Sequence, residues 1–490
     1  MKFIKELQKQ TNVSITENEA IGYATTTSKL LDLNFAVSTL RNESDDAVRI
    51  MFRQAYEEDK ELALKWMFYA RDIRGGLGER RLFRLALKEI ADDLDERVLS
   101  WISVFGRYDD LFSLLDTRLN LFLMEFIRKQ ISEDIENMNN GKSVSLLAKW
   151  LPSENTSSQE TVVLARKIIS ALGITPSLYR KQLSKLRKYI DVIEIKMSAK
   201  KWQEINYETV PSRANLIYKD AFIRNDKERR EEFLAKLKSG EVKINAGTLF
   251  PHDILHKYIN QTDEDIALET LWKSLPNYLG DEESTIVVCD GSGSMTMRLK
   301  NTNISCLEVA GALAIYFSER CHGAYKDKFI TFSHSPQLVD LTGLNTLRKK
   351  WIKLRNYNEV ANTNIEGVFD LLLRTAKDGK IKQKDIPNIL IISDMEFDRG
   401  IDFNDKPNKL MDSIRLKWKK AGYKFPKISY WNLCSRTLTL PQIQNETGLR
   451  LVSGFSPAVI RQILSSPIDP IDALKEILLS QRYECVTFNK

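Results

Sequence analysis

The sequence predicts a multidomain protein with an all-helical first part and an α/β second part. Its 490 residues exceed what one ordinary hydrophobic core organises, which indicates two or three domains. Apolar residues recur at helical spacing up to about Leu279. Beyond Gly280, short apolar runs alternate with amphipathic segments, which is typical of a Rossmann-like, mainly parallel sheet wrapped by helices. We therefore predict a helical domain over residues 1–279 and an α/β domain over residues 280–490.

Repeated pairs of amphipathic segments separated by polar turns fill the first part. They predict a HEAT-like α-solenoid, with an irregular helical bundle as the alternative. One break, residues 71–80, contains three glycines. Four arginines surround this break: Arg71, Arg74, Arg80 and Arg81. Such a loop is suited to phosphate, but it lacks the GxxxxGK[ST] spacing of a P-loop. We favour a turn between helices whose arginines pair with nearby carboxylates.

The second part is organised around the stretch from Ser284 to Met295. It begins with an apolar, β-branched run that predicts a buried strand, and then turns through Asp-Gly-Ser-Gly-Ser. A helical pattern follows from Leu307. A strand, a tight polar loop and a helix place ligands at the carboxyl end of the strand, where open α/β sheets bind them.

Five oxygen-bearing side chains at the ends of predicted strands and helices form a candidate cation site: Asp290, Ser292, Ser294, Thr363 and Asp394. The first three follow one strand, the threonine precedes a helix, and the last aspartate ends a second buried strand. Mg²⁺ suits such a set, because it retains several waters and needs only one or two carboxylates. We expect Mg²⁺ or another divalent cation, with an ordinary α/β turn as the alternative.

Positive charge is concentrated in one block of the first part. From Arg166 to Lys243 there are 19 Lys and Arg against 10 Asp and Glu, an excess larger than the +7 of the whole chain. A helix predicted from Pro176 carries five basic side chains: Arg180, Lys181, Lys185, Arg187 and Lys188. Three aromatic residues nearby are suited to stacking on bases: Tyr189, Trp202 and Tyr207. The block favours a polyanion such as RNA as partner, and a solubilising surface is the alternative.

The order of the five oxygen-bearing residues carries a resemblance. Asp-x-Ser-x-Ser, then a loop threonine, then a strand-end aspartate is similar to the metal-ion-dependent adhesion site (MIDAS) of von Willebrand factor A domains. The resemblance implies that Ser292, Ser294 and Thr363 contact the metal, and that Asp290 and Asp394 act directly or through water. It also implies an open coordination position for an acidic oxygen of a ligand.

A helical region followed by a von Willebrand factor A domain resembles the TROVE, or Ro autoantigen, architecture. Four motifs resemble more closely a domain-of-unknown-function family with the same layout: Arg-Asp-Ile-Arg-Gly-Gly-Leu-Gly-Glu-Arg at 71–80, Gly-Arg-Tyr-Asp-Asp-Leu at 106–111, Asn-Ala-Gly-Thr-Leu-Phe-Pro-His at 245–252 and Ser-Asp-Met-Glu-Phe-Asp at 393–398. In the Ro family a ring of helical repeats binds structured or misfolded RNA. The resemblance therefore implies RNA as the partner of the Lys181 helix.

Three functions follow, in order of preference. The first is a non-catalytic, ribonucleoprotein-type RNA-binding protein whose metal site grips an acidic group of a protein ligand. The second is a metal-dependent adaptor or assembly factor for proteins, without nucleic acid. A metal-dependent phosphoesterase is third, because the sequence places no general base or nucleophile with an orienting partner beside Asp290 and Asp394.

Cysteine usage and hydropathy predict a cytoplasmic protein. The five cysteines are scattered and form no CxxC pair, which indicates free thiols in a reducing compartment. No run of about 18 apolar residues predicts a membrane span. The first residues, from Met1 to Leu7, lack the apolar core of a secretory signal.

Overall fold

The computed structural model describes residues 11–259, 261–278, 285–300, 302–332, 335–357, 364–398, 410–441, 448–460 and 469–488. Contacts divide the chain into two compact units. Unit 1 comprises Met1–Lys65, Arg74–Leu77 and Ala246–Cys485, and unit 2 comprises Trp66–Ile73, Gly78–Asn245 and Val486–Lys490. The boundary predicted between residues 279 and 280 does not coincide with this division, because unit 1 also contains the start of the chain.

The described residues before position 279 form helices and a small antiparallel sheet. The strands are β1 (Ser14–Ile15) and β2 (Ile21–Gly22). The helices are α1 (Lys29–Leu40), α2 (Asp45–Glu58), α3 (Lys60–Arg71), α4 (Arg80–Glu89), α5 (Arg97–Phe105), α6 (Asn120–Asn139), α7 (Leu147–Trp150), α8 (Gln159–Leu172), α9 (Pro176–Tyr189), α10 (Ile193–Ser198), α11 (Ser212–Ile217), α12 (Lys219–Asn225), α13 (Lys227–Ser239), α14 (Pro251–Tyr258) and α15 (Ile266–Lys273). A 3₁₀ helix, Tyr108–Leu114, lies between α5 and α6.

Local sequence explains why α9 begins and ends where it does. The hydroxyl of Thr175 accepts a hydrogen bond from the backbone N–H of Leu178, and proline occupies the first helical position, where its missing N–H costs nothing. Its buried face consists of Tyr179, Leu183 and Leu186, at the spacing that the sequence predicts. The opposite face is left to the charged side chains.

The later part contains a six-stranded sheet with the order β5-β4-β3-β6-β7-β8. Its strands are β3 (Thr285–Asp290), β4 (Lys328–Phe332), β5 (Leu338–Asp340), β6 (Asn388–Ser393), β7 (Ile428–Asn432) and β8 (Leu449–Ser453), and its helices are α16 (Cys306–Arg320), α17 (Leu347–Arg355), α18 (Ile365–Asp378), α19 (Leu410–Lys420) and α20 (Pro470–Leu478). All strand pairs are parallel except that of β5 with β4. The predicted class, a helical part followed by a mainly parallel α/β part, is confirmed.

The register of the sheet positions the candidate site. Cys289 of β3 lies opposite Ile392 of β6, and both strands run in the same direction. The residues that end these strands, Asp290 and Ser393, therefore reach the same carboxyl edge of the sheet, and Asp394 follows directly.

Helix α1 lies against the last two strands of the sheet, which the sequence does not predict. The side-chain amide of Asn432 donates to the carbonyl of Phe35 at 2.8 Å, and the hydroxyls of Ser38 and Ser453 are 2.7 Å apart. Every residue of α1 after Lys29 is buried. A helix that is buried on all sides must pack against several other elements, and in unit 1 these include helix α2 and the strands β7 and β8.

No single helix among the described residues has the length and hydropathy to cross a membrane. The consecutive helices Gln159–Leu172 and Pro176–Tyr189, bent by 105°, meet that criterion only when the two are taken together.

Candidate metal centre

Asp290 is fixed at the end of β3 by two hydrogen bonds. The hydroxyl of Ser393 donates to its Oδ2 at 2.6 Å, and the backbone N–H of Ser292 donates to its Oδ1 at 2.9 Å. The residue has no solvent exposure. Each carboxylate oxygen keeps a second lone pair, so both remain capable of holding a ligand.

The loop after Asp290 brings two serines beside it. Gly293–Thr296 forms a 3₁₀ turn, and the hydroxyl oxygens of Ser292 and Ser294 lie 3.0 Å apart. Ser294 also lies close enough to Asp394, directly after β6, to lower the pKa of that carboxyl group. The structure thus brings four of the five predicted ligands together: Asp290, Ser292, Ser294 and Asp394. Thr363, the fifth, lies outside the described residues, just before the N-cap Asn364 of α18.

Two buried carboxylates so close together affect each other's protonation. Burial, and next the charge of Asp394, raise the pKa of Asp290 to about 7. Burial also raises the pKa of Asp394, although Ser294 and Arg436 oppose the shift. A cation bound between such carboxylates reverses this balance, because it favours their charged forms.

The donor set fits a small hard cation. Two carboxylates and two hydroxyls are all oxygen donors, which Mg²⁺ prefers, and they leave coordination positions for water or a ligand. No group of three or more His, Cys, Asp or Glu side chains suited to a metal occurs in the described ranges. The donors here are of a different kind, since half of them are serine hydroxyls.

Arg436 is a neighbour of the site that sequence reasoning missed. Its Nη1 donates to Oδ2 of Asp394 at 3.0 Å, and the same guanidinium forms an ion pair with Glu17. The backbone N–H of Glu396 donates to the other oxygen of Asp394 at 3.2 Å. One of these donors is the positively charged guanidinium of Arg436, which would repel a cation bound directly to the same carboxylate, so the arrangement suits a contact with a metal through water more than a direct one.

Glu396 positions this surrounding shell. It is fully buried, and its Oε1 accepts hydrogen bonds from the backbone N–H groups of Arg436 and Thr437, at 2.6 and 2.9 Å. Its Oε2 accepts from the backbone N–H of Glu17 at 2.8 Å. One carboxylate therefore holds the loop that carries Arg436 and the segment that carries Glu17.

We expect Glu396→Gln to lower the unfolding free energy of unit 1 by about 1–3 kcal/mol, because an amide nitrogen replaces an acceptor that faces N–H donors. Affinity for a divalent cation should fall about 10–100-fold, as for other residues that orient metal ligands. Urea unfolding and Mn²⁺ titration measure the two effects. Glu476→Gln, an exposed position on α20, is the control and should change neither. Equal behaviour of the two variants would contradict the positioning role.

The basic residues of α9 divide into two groups. Arg180, Lys181, Lys185 and Lys188 are exposed, and none forms an ion pair with another described residue. Arg187 instead donates to the carbonyls of Ala148 and Leu151 and to the hydroxyl of Ser153, at 2.8, 2.6 and 2.7 Å. Because Arg187 secures the chain after α7, we remove it from the predicted nucleic-acid surface.

The three aromatic residues predicted to lie near this surface differ in exposure. Tyr189, at the end of α9, is exposed. Tyr207 is buried against Phe222, and Trp202 is half-buried against the same ring. Tyr189 is therefore the most exposed of the three.

Comparisons with known proteins agree with the two-part layout. The chain matches the model of one domain of unknown function, DUF2828, over residues 16–92 and 118–282, and that of another, DUF7788, over residues 284–478. The predicted resemblance to a domain-of-unknown-function family is confirmed. The first match ends at residue 282 and the second begins at residue 284.

Two further proteins are similar to this chain. An uncharacterized protein of Acanthamoeba polyphaga mimivirus is 29% identical over 516 residues, which cover 95% of this chain and 87% of that protein. The crystal structure of the Deinococcus radiodurans Ro (RSR) protein is 15% identical with a TM-score of 0.46, and the match covers 89% of this chain and 94% of that one.

Proposed function

We propose that this is a non-catalytic, ribonucleoprotein-type protein that binds RNA through α9 and an acidic ligand through a divalent cation. The observation that carries the proposal is the convergence of Asp290, Ser292, Ser294 and Asp394 at the carboxyl edge of β3 and β6. No catalytic base is assigned in it. Turnover of a generic phosphoester, lost in Asp290→Asn, would favour the phosphoesterase alternative instead.

In this proposal Asp290, Ser292 and Ser294 hold the cation, and Asp394 reaches it through water. Thr363 is the expected further ligand. The bound ion supplies a positive charge for a carboxylate of a protein ligand. Arg436 and Glu396 keep Asp394 in place.

The RNA half of the proposal is supported by the exposed bases of α9. Lys181, Lys185 and Lys188 are spaced i, i+4 and i+7, so they lie along one side of the helix. Lysine side chains on one helix face can neutralise successive phosphates of a nucleic-acid backbone. The counterions that this releases make binding salt-dependent. Purifying the protein from cells and sequencing the RNA that accompanies it would identify the partner.

We expect the triple change Lys181→Gln, Lys185→Gln and Lys188→Gln to weaken binding of single-stranded RNA. It should also reduce the slope of log affinity against log salt by about 2, since each lost phosphate contact contributes about 0.7. Fluorescence anisotropy with a labelled oligonucleotide at several salt concentrations measures both effects.

The matched control changes three other exposed lysines of unit 2: Lys200, Lys238 and Lys243. If both triple variants lose affinity equally, the positive charge acts only as a diffuse field and α9 has no special role. If the unmodified protein binds no RNA but still binds a divalent cation, the adaptor alternative replaces the RNA half of the proposal.

A further inference from the structure

Three arginines of unit 2 lie close together: Arg80, Arg84 and Arg107, named here the arginine cluster. Arg80 and Arg84 are on the first two turns of α4, and Arg107 directly precedes the 3₁₀ helix Tyr108–Leu114. Partial burial, and next the positive charges of Arg107 and Arg84, lower the pKa of Arg80. Arg80 and Arg84 are four residues apart on α4, so their side chains are neighbours on one face of the helix, and Arg84 and Arg107 both contact Asp109.

Two aspartates beneath the cluster hold two of its members in place. Arg84 Nε donates to Asp110 Oδ1 at 2.7 Å, and its Nη2 is 2.8 Å from Asp109 Oδ2. Arg107 binds Asp109 with two parallel bonds, from Nε at 2.9 Å and Nη2 at 2.6 Å. These bonds fix the orientation of both guanidinium groups without using their Nη1 atoms.

The outer layer of this arrangement is positive. Asp110 has no exposure and also binds the buried Arg71 at 2.7 Å, so three guanidinium groups, those of Arg71, Arg84 and Arg107, share two carboxylates. The side chains of Arg84 and Arg107 are 32% and 34% exposed. Arg80 is exposed and forms no ion pair with a described residue. The side chains of Asp109 and Asp110 are therefore less exposed than the arginine side chains of the cluster.

Trp150 supports the arginine cluster from α7. The guanidinium carbon of Arg107 lies 4.0 Å from the centre of its ring, and the ammonium of Lys149 lies 5.9 Å from the same centre. Stacking leaves the edge of the Arg107 guanidinium free to donate hydrogen bonds. The Nη1 atoms of Arg84 and Arg107 donate no hydrogen bond to a described residue. The guanidinium nitrogens of Arg80 likewise donate none to a described residue.

We propose that the arginine cluster is a binding site for a phosphate group. The planar, fixed guanidinium groups match the oxygen atoms of phosphate, which accept paired hydrogen bonds from arginine. The phosphate can come from a nucleic-acid backbone or from a free phosphate compound such as pyrophosphate. The site does not depend on the lysines of α9, although an RNA bound there would be a source of its ligand.

Calorimetric titration of the full-length protein with pyrophosphate in EDTA tests the proposal, since the chelator removes any contribution from the metal centre. We expect Arg80→Gln to weaken pyrophosphate binding at least about tenfold, and this variant should fold normally because Arg80 holds no other residue. Arg224→Gln, at an exposed arginine of α12 that forms no ion pair with the residues that the structure describes, is the control and should bind as the unmodified protein does. A parallel titration with oligouridylate uses the same variants.

The outcomes separate the two sources of phosphate. If Arg80→Gln loses binding of pyrophosphate but not of oligouridylate, the site takes free phosphate compounds. If it loses binding of oligouridylate but not of pyrophosphate, the site takes a backbone phosphate. Equal behaviour of Arg80→Gln and Arg224→Gln with both probes overturns the proposal. The triple lysine variant of α9 should retain pyrophosphate binding, so failure of the RNA proposal and failure of this one are distinguishable.

Discussion

Replacing Asp290 by asparagine should abolish high-affinity binding of a divalent cation. Asp290 supplies the carboxylate at the centre of the site, between Ser292 and Ser393. Residues that merely orient metal ligands contribute about 10–100-fold to affinity, so we expect a loss of at least about 100-fold here. Electron paramagnetic resonance of free Mn²⁺ during a titration measures the dissociation constant.

Asparagine has nearly the shape of aspartate, and it removes one of two adjacent buried negative charges. The hydroxyl of Ser393, unlike the backbone N–H groups that face Glu396, can turn to accept from the new amide nitrogen. In EDTA the variant should therefore be no less stable to heat than the unmodified protein. Asp340→Asn, at an exposed aspartate of β5, is the control and should bind Mn²⁺ normally. Unchanged Mn²⁺ affinity in Asp290→Asn would remove Asp290 from the site.

Replacing Asp110 by alanine should lower the unfolding free energy of unit 2 by about 3–5 kcal/mol. Asp110 is fully buried and accepts from Arg71 Nε, Arg84 Nε and the backbone N–H of Arg107, at 2.7, 2.7 and 2.9 Å. Arg71 is itself buried, so removal of Asp110 leaves a charge without its partner in a medium of low polarity. Urea unfolding followed by circular dichroism measures the change.

Asp116→Ala is the matched control for this prediction. Asp116 is exposed and lies 3.4 Å from the exposed Lys167, and such surface pairs contribute about 0–1 kcal/mol. A loss of less than about 1 kcal/mol in Asp110→Ala would contradict a central role of this aspartate in unit 2.

Local sequence was sufficient to predict the strand ends that form the candidate metal centre. Asp290 and Asp394 each follow a buried apolar run, and parallel strands bring such positions to one edge. Glu396 and Arg436 were missed because their partners are distant in the chain. Glu17 lies 379 residues from the carboxylate that holds its backbone. The motif from Ser393 to Asp398 contains Glu396 and was the available signal.

The same limit explains the mixed outcome on α9. Its amphipathic period predicts the buried face, because Tyr179, Leu183 and Leu186 recur at helical spacing. Arg187 has the composition of a surface residue, but it donates to carbonyls near α7, which only the fold brings close. The charge pattern therefore predicts which helix is basic, but it does not predict which of the basic side chains are bound to other parts of the protein.

The most direct test of the metal centre is anomalous X-ray diffraction from crystals of the protein grown with Mn²⁺. The account predicts a strong anomalous peak within bonding distance of the carboxylate of Asp290 and the hydroxyls of Ser292 and Ser294, with Asp394 reached through a water. Absence of a peak there at millimolar Mn²⁺, or a peak only at other residues, would contradict it.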